Sequence, residues 1–176
     1  RKPTTEPAMP DPALIISPYA EADLPDFAPV FRAIVEAGET YAYPPGLTDA
    51  EIQDLWWDAP PGHTVVARDA TGSFLGSAKM GPNRPARGAH IGTASFMVAE
   101  AARGLGAGRT LLDYVIDWHR RGGYAGIQFN AVVETNHAAV RLWQGAGFEI
   151  IGTVPGAFES TAHGRVGLHV MYLSLA

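Results

Sequence analysis

The chain has 176 residues, of which 47% are hydrophobic and 18% charged, a composition typical of one folded domain. Its formal net charge of -5 argues against nucleic acid or an anionic membrane as a partner, and its lack of cysteine excludes disulfides, thiolate metal sites and an acyl-cysteine intermediate. No apolar run approaches the ~20 residues that span a bilayer, and the first residues lack a signal-peptide core, so we expect a cytoplasmic protein.

The first third of the chain predicts a strand and two helices. Residues 1–12 are polar and proline-containing, and we expect them to be a tag or disordered tail, with residues 13–176 forming a single domain. Ala13–Ser17 predicts a strand, and Asp23 before Leu24 and Pro25 predicts the start of a helix. Thr48 and Glu51 form a capping box for a second, short helix.

The middle of the chain predicts a hairpin and a central strand. His63–Arg68 and Ser73–Met80 are rich in strand-forming residues and are separated by a turn sequence that ends at Gly72. A loop over Gly81–Gly88 then leads to an extended run, Ala89–Val98. We expect this run to lie in the middle of a sheet.

The second half of the chain predicts helices that alternate with strands. After the sequence RGLGAG, apolar residues at helical spacing predict an amphipathic helix that stops at Gly122. A strand over Gly126–Val133 follows, then a helix from Asn136 to about Ala146. Phe148–Val154 and Val166–Leu173 predict two final strands.

The sequence RGLGAG, Arg103–Gly108, joins a strand to a helix. Such a loop directs free backbone N–H groups and the positive end of a helix dipole to one point, where a phosphate or pyrophosphate can bind, and Arg103 and Arg109 can neutralise its charge. No GK[ST] follows, and Arg109 replaces the third glycine of GxGxxG, so ATP and dinucleotide sites are disfavoured. Alternatively, the glycines only let the two elements pack closely.

Asn136 and Trp143 are seven residues apart, nearly two helical turns, and so share one face of the predicted helix with Ala139. They can line a site, or they can be a capping asparagine and a core tryptophan. Together with RGLGAG, this segment resembles the GNAT superfamily of N-acetyltransferases over roughly Phe96–Val154. The resemblance implies an α/β (α+β) fold, in which a mixed, mostly antiparallel sheet of six to seven strands is splayed into a V beside about four helices.

The resemblance also implies that acetyl-CoA lies in the opening of the V, with no metal. The backbone of Phe96, Met97 and Val98 would pair with the pantetheine arm, and Asn136 would bond that arm beside Ala139 and Trp143. The loop would hold the pyrophosphate through Arg103, Gly104, Leu105, Gly106, Ala107, Gly108, Arg109 and Thr110.

One position departs from the family pattern. Many members have tyrosine at the position of Trp143, where its hydroxyl is proposed to protonate the leaving thiolate, and an indole cannot release a proton near neutral pH. Here the thiolate would leave as an anion or through water.

The candidate catalytic residues are Asn130, Asn136, Glu134 and His90. Among them only His90 and Glu134 are ordinary bases for the acceptor amine, and His90 can equally be a surface histidine. Asn130 interrupts an apolar strand, where its amide needs hydrogen-bond partners, one of which can be a substrate carboxylate or carbonyl. Strand alternation would place Thr93 and Ser95 in the same cleft as Asn130.

The segments FNAVVETN and LWQGAGFEIIGTVPGAF resemble a GNAT branch that includes acetyltransferases for cyclic, proline-like amino acids. In that branch, asparagines matching Asn130 and Asn136 line the active site, whereas Thr93 stands where a further asparagine is expected. The loops that carry Tyr41, Tyr43, Phe158 and His163 can form the acceptor pocket, or these side chains can simply pack.

We therefore expect an N-acetyltransferase that moves an acetyl group directly to a small-molecule amine, most plausibly an amino acid or analogue. The alternatives are a catalytically silent acyl-CoA-binding or regulatory domain, acetylation of a peptide or protein amine, and a nucleotide-binding regulator. A homodimer through Phe148–Ala176 is also compatible with the sequence.

Overall fold

A seven-stranded sheet organises the protein, for which a computed structural model describes residues 13–176. The tail predicted for residues 1–12 lies outside the described residues. The strands are β1 (Ile15–Pro18), β2 (His63–Arg68), β3 (Phe74–Pro82), β4 (Ile91–Val98), β5 (Gly126–Val133), β6 (Glu149–Ser160) and β7 (Gly164–Ser174). The α-helices are α1 (Leu24–Ala37), α2 (Asp49–Trp56), α3 (Ala107–Arg121) and α4 (His137–Gly145). The predicted numbers of strands and α-helices are confirmed.

The sheet opens between β4 and β5. Its order is β1-β2-β3-β4-β5-β7-β6, and neighbours are antiparallel except for β4 and β5. These two parallel strands pair only at Ile91 with Gly126 and at Gly92 with Ile127. Beyond these pairs they diverge, which confirms the predicted V. We call the gap between residues 93–98 of β4 and 128–133 of β5 the seam.

Alternation along β4 directs its side chains to two separate cores. Phe96 packs against Leu111 and Val115 of α3, together with Ala94 and Val98 on the same face of β4. Met97, on the opposite face, is buried with Phe31 of α1 and Trp56 of α2. The sheet is therefore covered by α3 and α4 on one side and by α1 and α2 on the other.

The last hairpin is longer than predicted. We expected a strand to end at Val154 and Phe158 to lie in a loop, but β6 continues to Ser160 and Phe158 is buried with Val133 and Val166. A register shift between Val154 and Phe158 absorbs the interruption at Gly156, whose φ of 63° suits a bulge. The loop assignment of Phe158 is therefore wrong, whereas His163 does lie in the turn that follows.

The outer strand β6 exposes Ile151 and Val154, which are 62% and 55% accessible. The homodimer that the sequence allows is untested by these contacts. In the part of the chain that the structure describes, the helices are too short or too polar to cross a bilayer.

His119 of α3 is fully buried beneath Gly92 of β4, where the two strands still pair. Burial lowers the pKa of its imidazole, against the opposing effect of its 2.7 Å hydrogen bond to the Val115 carbonyl. In the unfolded chain this imidazole takes up a proton near pH 6.5, whereas the folded chain takes it up only at lower pH. The contribution of neutral His119 to the free energy of unfolding is therefore fully present above about pH 6.5 and is lost as the pH falls below that value.

We predict that the free energy of unfolding, measured with urea from pH 7.5 to 5, decreases more steeply for the wild type than for His119→Gln. His63, whose pKa burial also lowers, is present in both proteins and cancels in the comparison. His90→Gln, at an exposed position, serves as the control for the substitution itself. Parallel profiles for wild type and His119→Gln would contradict the assignment.

Candidate active site

The glycine loop leaves free amides at the start of α3. Gly104 and Gly106 have φ values of 79° and 81°, and no atom beyond the adjacent residues lies within 4 Å of where a Cβ would stand on either. The Thr110 N–H donates to the Gly106 carbonyl at 3.0 Å and is the first helical donor, so the N–H groups of residues 107–109 have no acceptor within the helix. The loop is open to an anionic group at the positive end of the α3 dipole.

The two arginines that flank the loop point in different directions. Arg103 lines the cleft described below, whereas the Arg109 guanidinium donates to Asp113 at 3.0 Å, one turn along the exposed face of α3. The Thr110 hydroxyl donates to the Gly106 carbonyl at 3.0 Å. Arg103 is therefore the flanking arginine that the structure places at the cleft.

The seam widens into a cleft with a volume of about 640 Å³. This volume lies within the usual range for small-molecule sites. The cleft connects the glycine loop at one end with the α1–α2 connection at the other. Its lining includes Tyr41, Tyr43, Ala94, Ser95, Phe96, Met97, Val98, Arg103, Gly108, Phe129, Asn130, Asn136, Ala139, Trp143 and Phe158.

Helix α4 forms one wall of the cleft. The Asn136 side chain caps this helix by accepting from the Ala139 N–H at 3.4 Å. Trp143 is 8% exposed and packs on Phe96 and Phe129, with ring centroids 4.8 and 5.0 Å apart. Both side chains thus support the helix and also line the cleft.

Tyr41 reaches the open edge of β4. Its hydroxyl donates to the Phe96 carbonyl at 2.5 Å and accepts from the Phe96 N–H at 2.9 Å. Because the backbone groups of one residue in a strand point to the same side, Phe96 directs both groups away from β3 and into the seam. Alternation gives Ala94 and Val98 the same orientation.

Glu39 fixes the segment that carries Tyr41. Its carboxylate accepts from the Ser160 hydroxyl at 2.6 Å and from the Ala162 N–H at 2.8 Å. These hydrogen bonds, the first above all, lower the pKa of Glu39, which is therefore ionised at neutral pH. No local pattern in the sequence points to Glu39, because its partners lie more than 120 residues away.

A second cavity of about 420 Å³ lies on the α1–α2 face of β4. Thr93 and Ser95, both predicted to lie in the cleft with Asn130, line this second cavity; Ser95 also lines the cleft, whereas Thr93 does not. Lys79 projects here from β3 and donates to the Leu55 carbonyl at 2.8 Å. Arg84 adds a second cation to the lining and makes no ion pair within residues 13–176.

Asn130 already has protein partners. Its amide NH₂ donates to the Asn83 side-chain oxygen at 2.7 Å, and its own oxygen accepts from Gln128 at 3.0 Å. A register shift between Phe129 and Val132 leaves Asn130 exposed rather than buried. An asparagine can make about four such bonds, so one N–H and one lone pair remain free to bind a ligand.

The two candidate bases are absent from the lining formed by the described residues. His90 is exposed in the turn before β4, and its backbone carbonyl accepts from the Ala125 N–H at 2.9 Å. The Glu134 carboxylate accepts from the Gly167 N–H at 2.6 Å, which ties it to β7. The structure brings Asn130 and Asn136 to the cleft but does not bring these two bases there.

Several known proteins are similar to this chain in sequence or in structure. A structure of a GCN5-related N-acetyltransferase from Kribbella flavida is 57% identical, covers 93% of this chain and 98% of its own, and superposes with a TM-score of 0.89. The L-methionine sulfoximine/L-methionine sulfone acetyltransferase of Pseudomonas paraeruginosa is 33% identical over 76% of this chain and 79% of its own length.

A ribosomal-protein-alanine N-acetyltransferase from Brucella melitensis is 30% identical, covers 92% of this chain and 99% of its own, and has a TM-score of 0.78. The sequence pattern of the acetyltransferase (GNAT) family matches residues 29–148, which is more than half of the chain. This match confirms the identification made from RGLGAG and Asn136. The chain belongs to the GNAT family of acetyltransferases.

Proposed function

We propose that the protein moves an acetyl group from acetyl-CoA directly to the amine of a small molecule that also carries a carboxylate, such as an amino acid or an analogue. The observation that carries the proposal is the cleft, which joins the free amides at the start of α3 to an open strand edge. Acetyl-CoA supplies an acyl group on a thiol whose thiolate is a competent leaving group.

The residues along the cleft fit such a donor. The amides of residues 107–109 and the Arg103 guanidinium would hold the pyrophosphate. The β4 edge at Phe96 offers an N–H and a carbonyl that suit the amides of an extended arm, as in the addition of a strand. Trp143 and Ala139 would pack against that arm from α4.

The second cavity supports an acceptor with a carboxylate. Lys79 and Arg84 bring two cations into its lining against one carboxylate, that of Asp58. Because Ser95 lines both spaces, an acceptor bound in this cavity lies next to the acyl end of the cleft. Acetylation of amino-acid analogues by the Pseudomonas relative points to the same substrate class. The Brucella relative keeps a protein amine as the second candidate acceptor.

The test is release of CoA thiol by purified protein, measured with a panel of amines. We expect saturable release with amino acids and little with their carboxamides, polyamines or aminoglycosides. Release with peptides alone would favour the second candidate. Saturable CoA binding without release for any amine would contradict the proposal and favour a silent acyl-CoA-binding domain.

Asn130→Ala is predicted to raise the acceptor KM about tenfold, which corresponds to the ~1.4 kcal/mol of one hydrogen bond to a charged group. The KM for acetyl-CoA should change less than twofold. Asn83→Ala is the companion variant, because it removes a protein partner of Asn130 and keeps the amide itself. Steady-state kinetics with each substrate varied in turn gives both values, and equal increases would place Asn130 outside the acceptor site.

A further inference from the structure

Tyr41 contacts the backbone groups that the seam presents to a ligand. Its hydroxyl bonds both the N–H and the carbonyl of Phe96, and these groups have no strand partner because β5 diverges from β4. The hydroxyl therefore lies where an extended ligand would pair with β4, and binding of such a ligand must displace it.

The ring of Tyr41 is held in place by its surroundings. It stacks on Tyr43 with centroids 5.5 Å apart and planes 14° from parallel. The preceding segment is tied to the β6–β7 hairpin through Glu39, and the Gly38 carbonyl accepts from the Thr161 N–H at 3.1 Å. A hydroxyl displaced from Phe96 would therefore stay beside the seam.

The cleft offers few side chains that can release a proton. Trp143 cannot do so, and the Glu39 carboxylate is ionised, with each of its two oxygens already accepting a hydrogen bond. Within the described lining, the phenol hydroxyls are those of Tyr41 and Tyr43, and the hydroxyl that reaches the β4 edge is that of Tyr41. Burial raises the pKa of Tyr41, so its hydroxyl keeps the proton at neutral pH.

We propose that Tyr41 is a catalytic residue that protonates the departing thiolate, the role that Trp143 cannot fill. The inference rests on the proposed function. The amine nitrogen forms its bond to the acyl carbon as the carbon–sulfur bond breaks, and the Tyr41 proton passes to sulfur. The proton that the new amide nitrogen loses returns to the Tyr41 oxygen, directly or through water, so the cycle needs no other reagent.

The test variant is Tyr41→Phe, which keeps the ring and its stacking on Tyr43. Removing the hydroxyl ends its competition for Phe96, so CoA should bind about fivefold more tightly by calorimetry, as expected for one hydrogen bond. The kcat for amine-dependent thiol release should nevertheless decrease about a hundredfold, a typical contribution of a general acid. Tyr124→Phe, which follows the C-terminal end of α3 and lies outside the cleft lining, is the control and should change neither value more than twofold.

The two readouts separate the possible outcomes. Weaker binding together with a lower kcat would indicate a merely structural role and overturn the proposal. Tighter binding with an unchanged kcat would also overturn it, because the hydroxyl would then only occupy the site. If the wild type releases CoA thiol and Tyr41→Phe releases it equally fast, only this inference is refuted. If the wild type binds CoA but releases no thiol, the proposed function is refuted.

Discussion

Gly106→Val is expected to weaken CoA binding at least a hundredfold. Gly106 has a φ of 81°, a conformation that β-branched residues avoid at a cost of about 1–3 kcal/mol. The position of its missing Cβ is open space beside the free amides of residues 107–109. The added isopropyl group would fill that space and keep the backbone away from a pyrophosphate, so strain and steric exclusion act together.

Gly72→Val is the matched control. Gly72 has a φ of 87° in the turn between β2 and β3, and its Cβ position is also open, but it lies outside the cleft. Both variants should lose similar stability, whereas only Gly106→Val should lose CoA binding in calorimetric titrations. Unchanged affinity in Gly106→Val would refute the assignment of the loop.

Gly92→Ala is expected to destabilise the fold by about 3 kcal/mol, at the upper end of the usual cost of overpacking a core. A Cβ on Gly92 would stand 2.2 Å from two ring atoms of His119, which is fully buried and cannot swing into solvent. Gly92 also forms one of the two pairs that hold β4 to β5, so a shift here would change the opening of the seam.

Thermal unfolding should show this loss as a decrease of roughly 10 °C in Tm for a chain of this length. Gly145→Ala is the control, because no atom lies within 4 Å of its Cβ position and alanine favours the helical conformation there. A loss of only about 0.5 kcal/mol would lower the Tm by about 2 °C. A Tm for Gly92→Ala within about 2 °C of that of Gly145→Ala would therefore contradict the close packing of Gly92 against His119.

Local patterns in the sequence predicted most of the framework. The Thr48–Glu51 capping box, the turn at Gly72 and the Asn136 cap are confirmed, because each depends on residues within a few positions of one another. The predicted V also holds, although it came from the resemblance carried by RGLGAG and not from strand patterns.

The contacts that shape the cleft could not be predicted from local sequence patterns. Tyr41 meets Phe96 across 55 positions, and Asn130 meets Asn83 across 47, so periodicity and spacing carry no information about either pair. The length of β6 was missed for a related reason. Pro155 and Gly156 normally end a strand, but pairing with β7 carries β6 through them by a shift of register.

A crystal structure of the protein with CoA tests the proposed binding mode most directly. We expect the pyrophosphate at the amides of residues 107–109 beside Arg103, the thiol next to the Phe96 backbone, and the Tyr41 hydroxyl detached from Phe96. CoA bound away from the seam, or bound in the seam with Tyr41 still on Phe96, would contradict it.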